Sequence, residues 1–229
     1  MRSLPLLLKL TVIAVTSRST RVFYDRVAPF YELLFTDHLP HIGTMAAAVS
    51  ERFGAKHHVK VLDMACGTGA LSRRLEEKGF RVTGLDFSFE SLCRLKQTTG
   101  TIRLIQADTA ALPFGPGCFD VVTCMGAWRH FPEPQRVLDE VRRVLRPSGV
   151  FLVGYFPPKL GGLLPVPSGR LGNAVAFLNR HIMCLLNYND RTDQALEREI
   201  LRMIELVFTK HRLILSHERE YLIFAESPR

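Results

Sequence analysis

Between Val59 and Tyr155 short apolar runs alternate with segments of helical periodicity, and that alternation leaves few architectures open. Strands are expected at Val59–Met64, Arg81–Asp86, Ile102–Ala107, Phe119–Cys124 and Val150–Tyr155. Helices are expected over Leu71–Lys78, Glu90–Thr98 and Pro134–Leu145. In the last, apolar residues at 137, 138, 141, 144 and 145 form one face and Pro134 suits the first turn. The Pro147-Ser148-Gly149 turn introduces the fifth strand. Strands that are apolar on both faces and joined by helices form a parallel, doubly wound sheet in three layers.

Outside this run the pattern changes. Residues 156–169 are rich in Pro and Gly and cannot be regular. Two helical stripes follow, at Leu171, Val175, Leu178, Ile182 and Leu185 and at Leu196, Ile200, Met203, Ile204 and Val207. Arg212–Ser216 and Glu220–Phe224 read as strands around a tight turn at His217–Arg219, hence antiparallel. They complete a mostly parallel seven-stranded sheet with an antiparallel C-terminal strand. Ahead of the sheet, Arg21–Phe35 and Ile42–Phe53 read as helices. The chain divides into an N-terminal extension and helical cap (1–55) and a main domain (56–229) carrying an insert at 156–190.

Half of the formal charge of +8 lies at one end, and the rest is spread thinly. Arg2, Lys9, Arg18, Arg21 and Arg26 face a single acid, Asp25, within the first 26 residues. A basic, partly apolar end suits an anionic membrane surface, or is simply a solvated tail. There is no basic–aromatic stripe elsewhere, so nucleic acid is not an expected partner. The apolar stretch from Leu4 to Val15 is too short to span a bilayer and, interrupted by Lys9, makes a poor leader. Five cysteines without a CxxC pair favour reduced thiols in a cytoplasmic setting, with no metal site.

The chemistry gathers at the strand ends. Asp63-Met64-Ala65-Cys66-Gly67-Thr68-Gly69 leads directly from strand to helix, where glycines allow close approach of a ligand and the helix start offers unpaired amides. A plain strand–turn–helix joint would use the same residues. Asp86 closes the second strand, where a carboxylate can accept both hydroxyls of a ribose. Asp108 closes the third, where it can accept from an exocyclic amine. Each acid alone also suits a cap or turn, but three at successive carboxyl ends face one crevice.

VLDMACGTGALSRRL, VTGLDFS, LIQADTAALPF, FDVVTCMGAWRHFPEP and VLRPSGVFLV resemble, in order and spacing, the class I S-adenosylmethionine-dependent methyltransferases, which have a Rossmann-like fold. With YDRVAPFYELL, the chain is similar to the quinone C-methyltransferases and bacterial phospholipid N-methyltransferases. The resemblance implies S-adenosyl-L-methionine as methyl donor and a small-molecule or lipid-like acceptor, of quinone or phospholipid type. It implies that Asp63, Ala65, Gly67 and Gly69 surround the methionine moiety, although a glycine often stands where this chain has Ala65. It further implies that Asp86 with Phe87 holds the ribose, Asp108 with Thr109 reads the adenine, and Met125 with Gly126 lines the sulfonium side.

Two other readings remain. An NAD-dependent oxidoreductase would want a third glycine where Ser72 stands and would not need Asp63. A membrane- or partner-binding protein would keep donor binding and little catalysis. In the enzymatic reading His130, in the loop after the fourth strand, is the candidate base; a loop histidine is also an ordinary packing residue. Tyr24 and Tyr31 can close over the donor and the acceptor, or form a buried aromatic face with Phe23, Phe30 and Phe35. Arg129 can meet an acidic substrate group or stay solvated. The insert at 156–190 is the expected lid over the acceptor.

Overall fold

The computed structural model describes residues 9, 12–13, 16–31, 39–54, 57–155, 193–217 and 220–228. The elements are α1 (Thr20–Val27), a 3-10 turn (Ala28–Phe30), α2 (Leu39–Phe53), β1 (Lys60–Met64), α3 (Ala70–Glu77), β2 (Arg81–Asp86), α4 (Phe89–Thr98) and β3 (Arg103–Gln106). They continue with β4 (Phe119–Met125), a 3-10 turn (Trp128–His130), α5 (Pro134–Val144), β5 (Leu145–Tyr155), α6 (Asp193–Val207), β6 (Phe208–His217) and β7 (Glu220–Pro228). The insert at 156–190 and the stripe at 171–185 lie outside the described residues, as does most of the stretch from Leu4 to Val15.

Seven strands form one sheet in the order β3-β2-β1-β4-β5-β7-β6. β1 to β5 pair in parallel, and β7 runs antiparallel to both β5 and β6. This is the Rossmann-like doubly wound sheet expected from the sequence. The chain reverses its winding between β3 and β4, so the crevice opens at the carboxyl ends of β1 and β4.

Successive strand residues point to opposite faces, which sorts the core into two clusters. Leu62, Met64, Val122, Cys124, Phe151 and Val153 pack beneath α5 and α6, against Val137, Leu138, Val141, Ile200 and Ile204. Val61, Val82, Val121, Val150 and Leu152 pack on the other face, against Met45, Val49, Leu71, Leu75 and Leu95 of α2, α3 and α4. The same alternation puts Asp63 and Thr123 on the α3 face. There they pair laterally with Gly84 and with each other in the sheet register.

Several boundaries differ from the sequence reading, and three of them have a local reason or consequence. β5 starts at Leu145, so Pro147-Ser148-Gly149 lies within a strand, at a register shift between the Phe119↔Leu145 and Val121↔Val150 pairs. α6 passes directly into β6, which begins at Phe208 rather than Arg212. The N-terminal helix stops being α-helical at Val27, because Pro29 has no N–H to donate back along it.

Candidate active site

The loop after β1 is held at several points. Cys66 N–H donates to Leu85 O at 3.1 Å, and Gly67 N–H to Asp86 Oδ2 at 2.8 Å. Gly69 N–H returns to Cys66 O at 2.9 Å. Ala65 sits at φ 53°, the one positive φ of a described non-glycine residue, so alanine here keeps a backbone shape that glycine adopts without strain.

The glycines divide by what surrounds them. Gly67 and Gly126 have positive φ and face open space where a Cβ would stand. Gly69 also has positive φ, but a Cβ there would lie 2.2 Å from Leu95 Cδ1. Gly67 and Gly126 thus leave room for a ligand, whereas Gly69 is demanded by the packing of α4 on the loop. Thr68 Oγ1 is buried beside them without a hydrogen-bond partner among the described residues.

Asp63 is buried beneath this loop, 1% exposed. Ser72 Oγ donates to its Oδ2 at 2.5 Å and Thr123 Oγ1 to its Oδ1 at 2.8 Å. Burial pushes its carboxyl up to about 6, and Asp86 adds to the rise while the two hydroxyls oppose it. Asp86 is also buried; it accepts Gly67 N–H and, through Oδ1, Ser88 N–H at 2.8 Å. Burial raises it too, against the pull of those amides and with a contribution from Asp25. Burial likewise raises the Cys66 and Cys124 thiols, which stay protonated and non-nucleophilic.

Two buried carboxylates beside an open, glycine-lined space favour a ligand that brings cationic or hydroxyl donors. They disfavour a diphosphate, whose charge would add to theirs. Ser72 stands where a dinucleotide fingerprint has its third glycine, and its hydroxyl is committed to Asp63. These features fit a sulfonium donor with an ammonium group and a ribose, and not NAD.

The mouth is aromatic. Tyr24 of α1 lies edge-on to Phe87 at 6.1 Å between ring centroids, and 6.4 Å from Tyr31. Its hydroxyl is 3.2 Å from His130 Nε2. Met125 and Arg129 are half-buried at the end of β4 and in the turn after it. The structure therefore gathers Tyr24, Tyr31, Phe87 and His130 at one place. Asp108 differs from the two buried acids in exposure. It is exposed, its Oδ1 accepts Ala110 N–H at 2.9 Å, and Thr109 beside it is half-buried.

Residues 62–153 match the family model described as a methyltransferase domain. A demethylmenaquinone methyltransferase of Renibacterium salmoninarum is 35% identical over 162 residues, 69% of this chain and 68% of that protein. The chain belongs to the class I S-adenosylmethionine-dependent methyltransferases. A ubiquinone biosynthesis O-methyltransferase of Pseudomonas aeruginosa is 40% identical over 100 residues, 41% of this methyltransferase and 43% of that one. The solved structure of a Pyrococcus horikoshii protein superimposes with a TM-score of 0.65 at 23% identity, covering 89% of this chain and 98% of that one. The matched spans thus run from two thirds to less than half of the curated relatives' length. The enzyme uses S-adenosylmethionine, and the oxidoreductase and binding-protein alternatives are set aside.

Four residues were not read from the sequence as part of the site: Ser72, Thr123, Asp25 and Ser88. Thr123 had a signal, as the lone hydroxyl inside an apolar strand, and Ser88 another, as a serine ahead of a helix. Asp25 had none, because its partners are more than sixty positions away.

Proposed function

We propose that this methyltransferase acts on a hydroxylated aromatic, lipid-like acceptor of the quinol type. The observation that carries this reading is the aromatic mouth closed by the Tyr24–His130 contact. Flat apolar acceptors pack against such rings, and the paired hydroxyl and imidazole can receive a proton. The relatives support it, since the Renibacterium salmoninarum and Pseudomonas aeruginosa proteins are named for menaquinone and ubiquinone steps.

S-adenosylmethionine supplies an electrophilic methyl group on sulfur. Asp86 would hold its ribose hydroxyls, with Phe87 beside them. Gly67 and Gly126 would admit the methionyl part, with Met125 on the sulfonium side. Asp63, beneath the loop, would add negative potential through Ser72 rather than by contact. Asp108 and Thr109 would border the adenine. Tyr31 and Arg129 flank the acceptor. His130 takes the proton that the acceptor loses, and Tyr24 orients His130. Positioning and exclusion of water then provide much of the remaining acceleration.

Labelled methyl transfer to demethylated menaquinols, ubiquinol precursors and aminophospholipids, offered separately, tests the reading. Label in a quinol supports it. Label in phospholipid alone would overturn it.

A lipid surface is the second partner in this reading, favoured by the exposed Phe89 (60%) and Val12 (53%) in a molecule whose Lys9, Arg18, Arg21 and Arg26 are all exposed. Binding to anionic vesicles that weakens as salt rises is the expected result. Equal binding to neutral vesicles, or none to either, counts against it. Among the described residues no helix is long and apolar enough to cross a membrane.

A further inference from the structure

The N-terminal helix is tied to the buried acids by a continuous hydrogen-bonded run. Ser88 Oγ donates to Asp25 Oδ1 at 2.6 Å, and Ser88 N–H donates to Asp86 Oδ1 at 2.8 Å. Asp86 Oδ2 in turn accepts Gly67 N–H at 2.8 Å. The run crosses from the cap, through the tip of β2, into the glycine loop. Ser88 is fully buried, and its oxygen also accepts Ser91 N–H at 3.1 Å as the N-cap of α4. Glu90 N–H makes a longer contact with Asp25 Oδ1, at 3.5 Å. Asp25 therefore reaches from α1 to close the start of another helix.

Neighbouring residues of a helix diverge by about 100° around its axis. With Asp25 fastened on Ser88, Tyr24 is turned to Phe87 and His130, while Phe23 is buried behind. The carboxylate–hydroxyl bond thus anchors α1 at the residue next to Tyr24, alongside the buried Phe23 and Val27. The 2.6 Å separation is that of an O–H···O⁻ bond, about twice as strong as a neutral one. Through Ser88 it joins the ribose-side acid to the helix that carries Tyr24.

We propose that Asp25 is a positioning residue that couples docking of the N-terminal helix to occupancy of the donor site. This rests on the reading of Asp86 as the donor's ribose acceptor. A ligand bound to Asp86 steadies Ser88, and Ser88 steadies Asp25. By reciprocity, a docked α1 raises donor affinity by the same factor that the donor favours docking. A merely structural Asp25 would lower stability equally with and without ligand. A coupling residue changes how the helix responds to the ligand.

The test uses the full chain, with trypsin cleavage after the exposed Arg21 as the readout of helix docking and S-adenosylhomocysteine as the probe. Saturating probe should slow that cleavage about tenfold in the wild type, the size expected of one charge-assisted hydrogen bond. In Asp25→Asn the probe's dissociation constant should rise about tenfold and the protection should shrink to within twofold. Asp25→Glu, which keeps the carboxylate, should recover part of both. Cleavage after Arg21 that ignores the probe in the wild type overturns the coupling. So does an Asp25→Asn variant that keeps both affinity and protection, or one that Asp25→Glu matches in every respect. If Asp25→Asn does not fold, the wild-type protection and the Glu variant decide. A wild type that does not bind the probe at all removes the reading of Asp86 itself, whereas binding without protection removes only the coupling.

Discussion

Asp63→Asn should make the protein more stable at neutral pH and a poorer binder of its donor. The side chain is 1% exposed and its carboxyl is raised from 3.8 to about 6, mainly by burial. A folded-state value above the unfolded one means that the native state binds the extra proton. Stability from this group is therefore greatest at low pH and falls as pH rises between about 4 and 6. A rise of that size puts the cost of keeping the charge buried above pH 6 at about 3 kcal/mol. Asparagine removes the charge while keeping the shape, and Ser72 and Thr123 can still bond to its amide. Urea unfolding of both proteins from pH 4 to pH 8 reads the effect, because carboxylates that do not interact with Asp63 cancel in the difference. The stability gain of the variant should grow from near zero at pH 4 to between about 1 and 3 kcal/mol above pH 6, after allowing for weaker hydrogen bonds. A difference that is flat with pH, or that favours the wild type increasingly as pH rises, would refute the reasoning.

The glycines should separate into two kinds. Gly69→Ala meets Leu95 and a left-handed backbone, so urea unfolding should show a loss of about 2–4 kcal/mol. Gly126→Ala meets only the backbone strain, so it should lose about 1 kcal/mol while donor affinity drops more than its stability does. His130→Ala should lower turnover on a quinol acceptor by about 10²- to 10⁴-fold with donor affinity nearly intact, and near-normal turnover in the folded variant would dismiss the base.

The sheet was legible because its central strands are mainly apolar and its helices carry clean stripes, as at Val137, Leu138, Val141 and Val144. Boundaries were harder to read where pairing continues on both sides of a local signal. Pro147-Ser148-Gly149 falls inside the β5 range, yet 146–149 pair with no β4 residue and Gly149 folds back on Arg146, so the expected turn persists within the strand. Asp63 and Asp86 were legible as acids at strand ends. Their surroundings were not, because Ser72 and Thr123 reach Asp63 only after strand and helix are packed. Asp25 shows the limit most clearly: as an isolated acid in a basic segment it reads as a surface charge, and only the fold carries it to Ser88. Gly69 shows the reverse, a residue in a ligand-binding pattern whose glycine is required by a neighbouring leucine.

Calorimetry of the purified protein with S-adenosylhomocysteine and with NAD, repeated on Asp86→Ala, addresses the central claim most directly. The wild type should bind S-adenosylhomocysteine and ignore NAD, and the folded variant should bind the former ~10- to 100-fold more weakly, the value of one or more hydrogen bonds to a charged group. Heat from NAD with none from S-adenosylhomocysteine, or an unchanged dissociation constant in Asp86→Ala, would contradict the account.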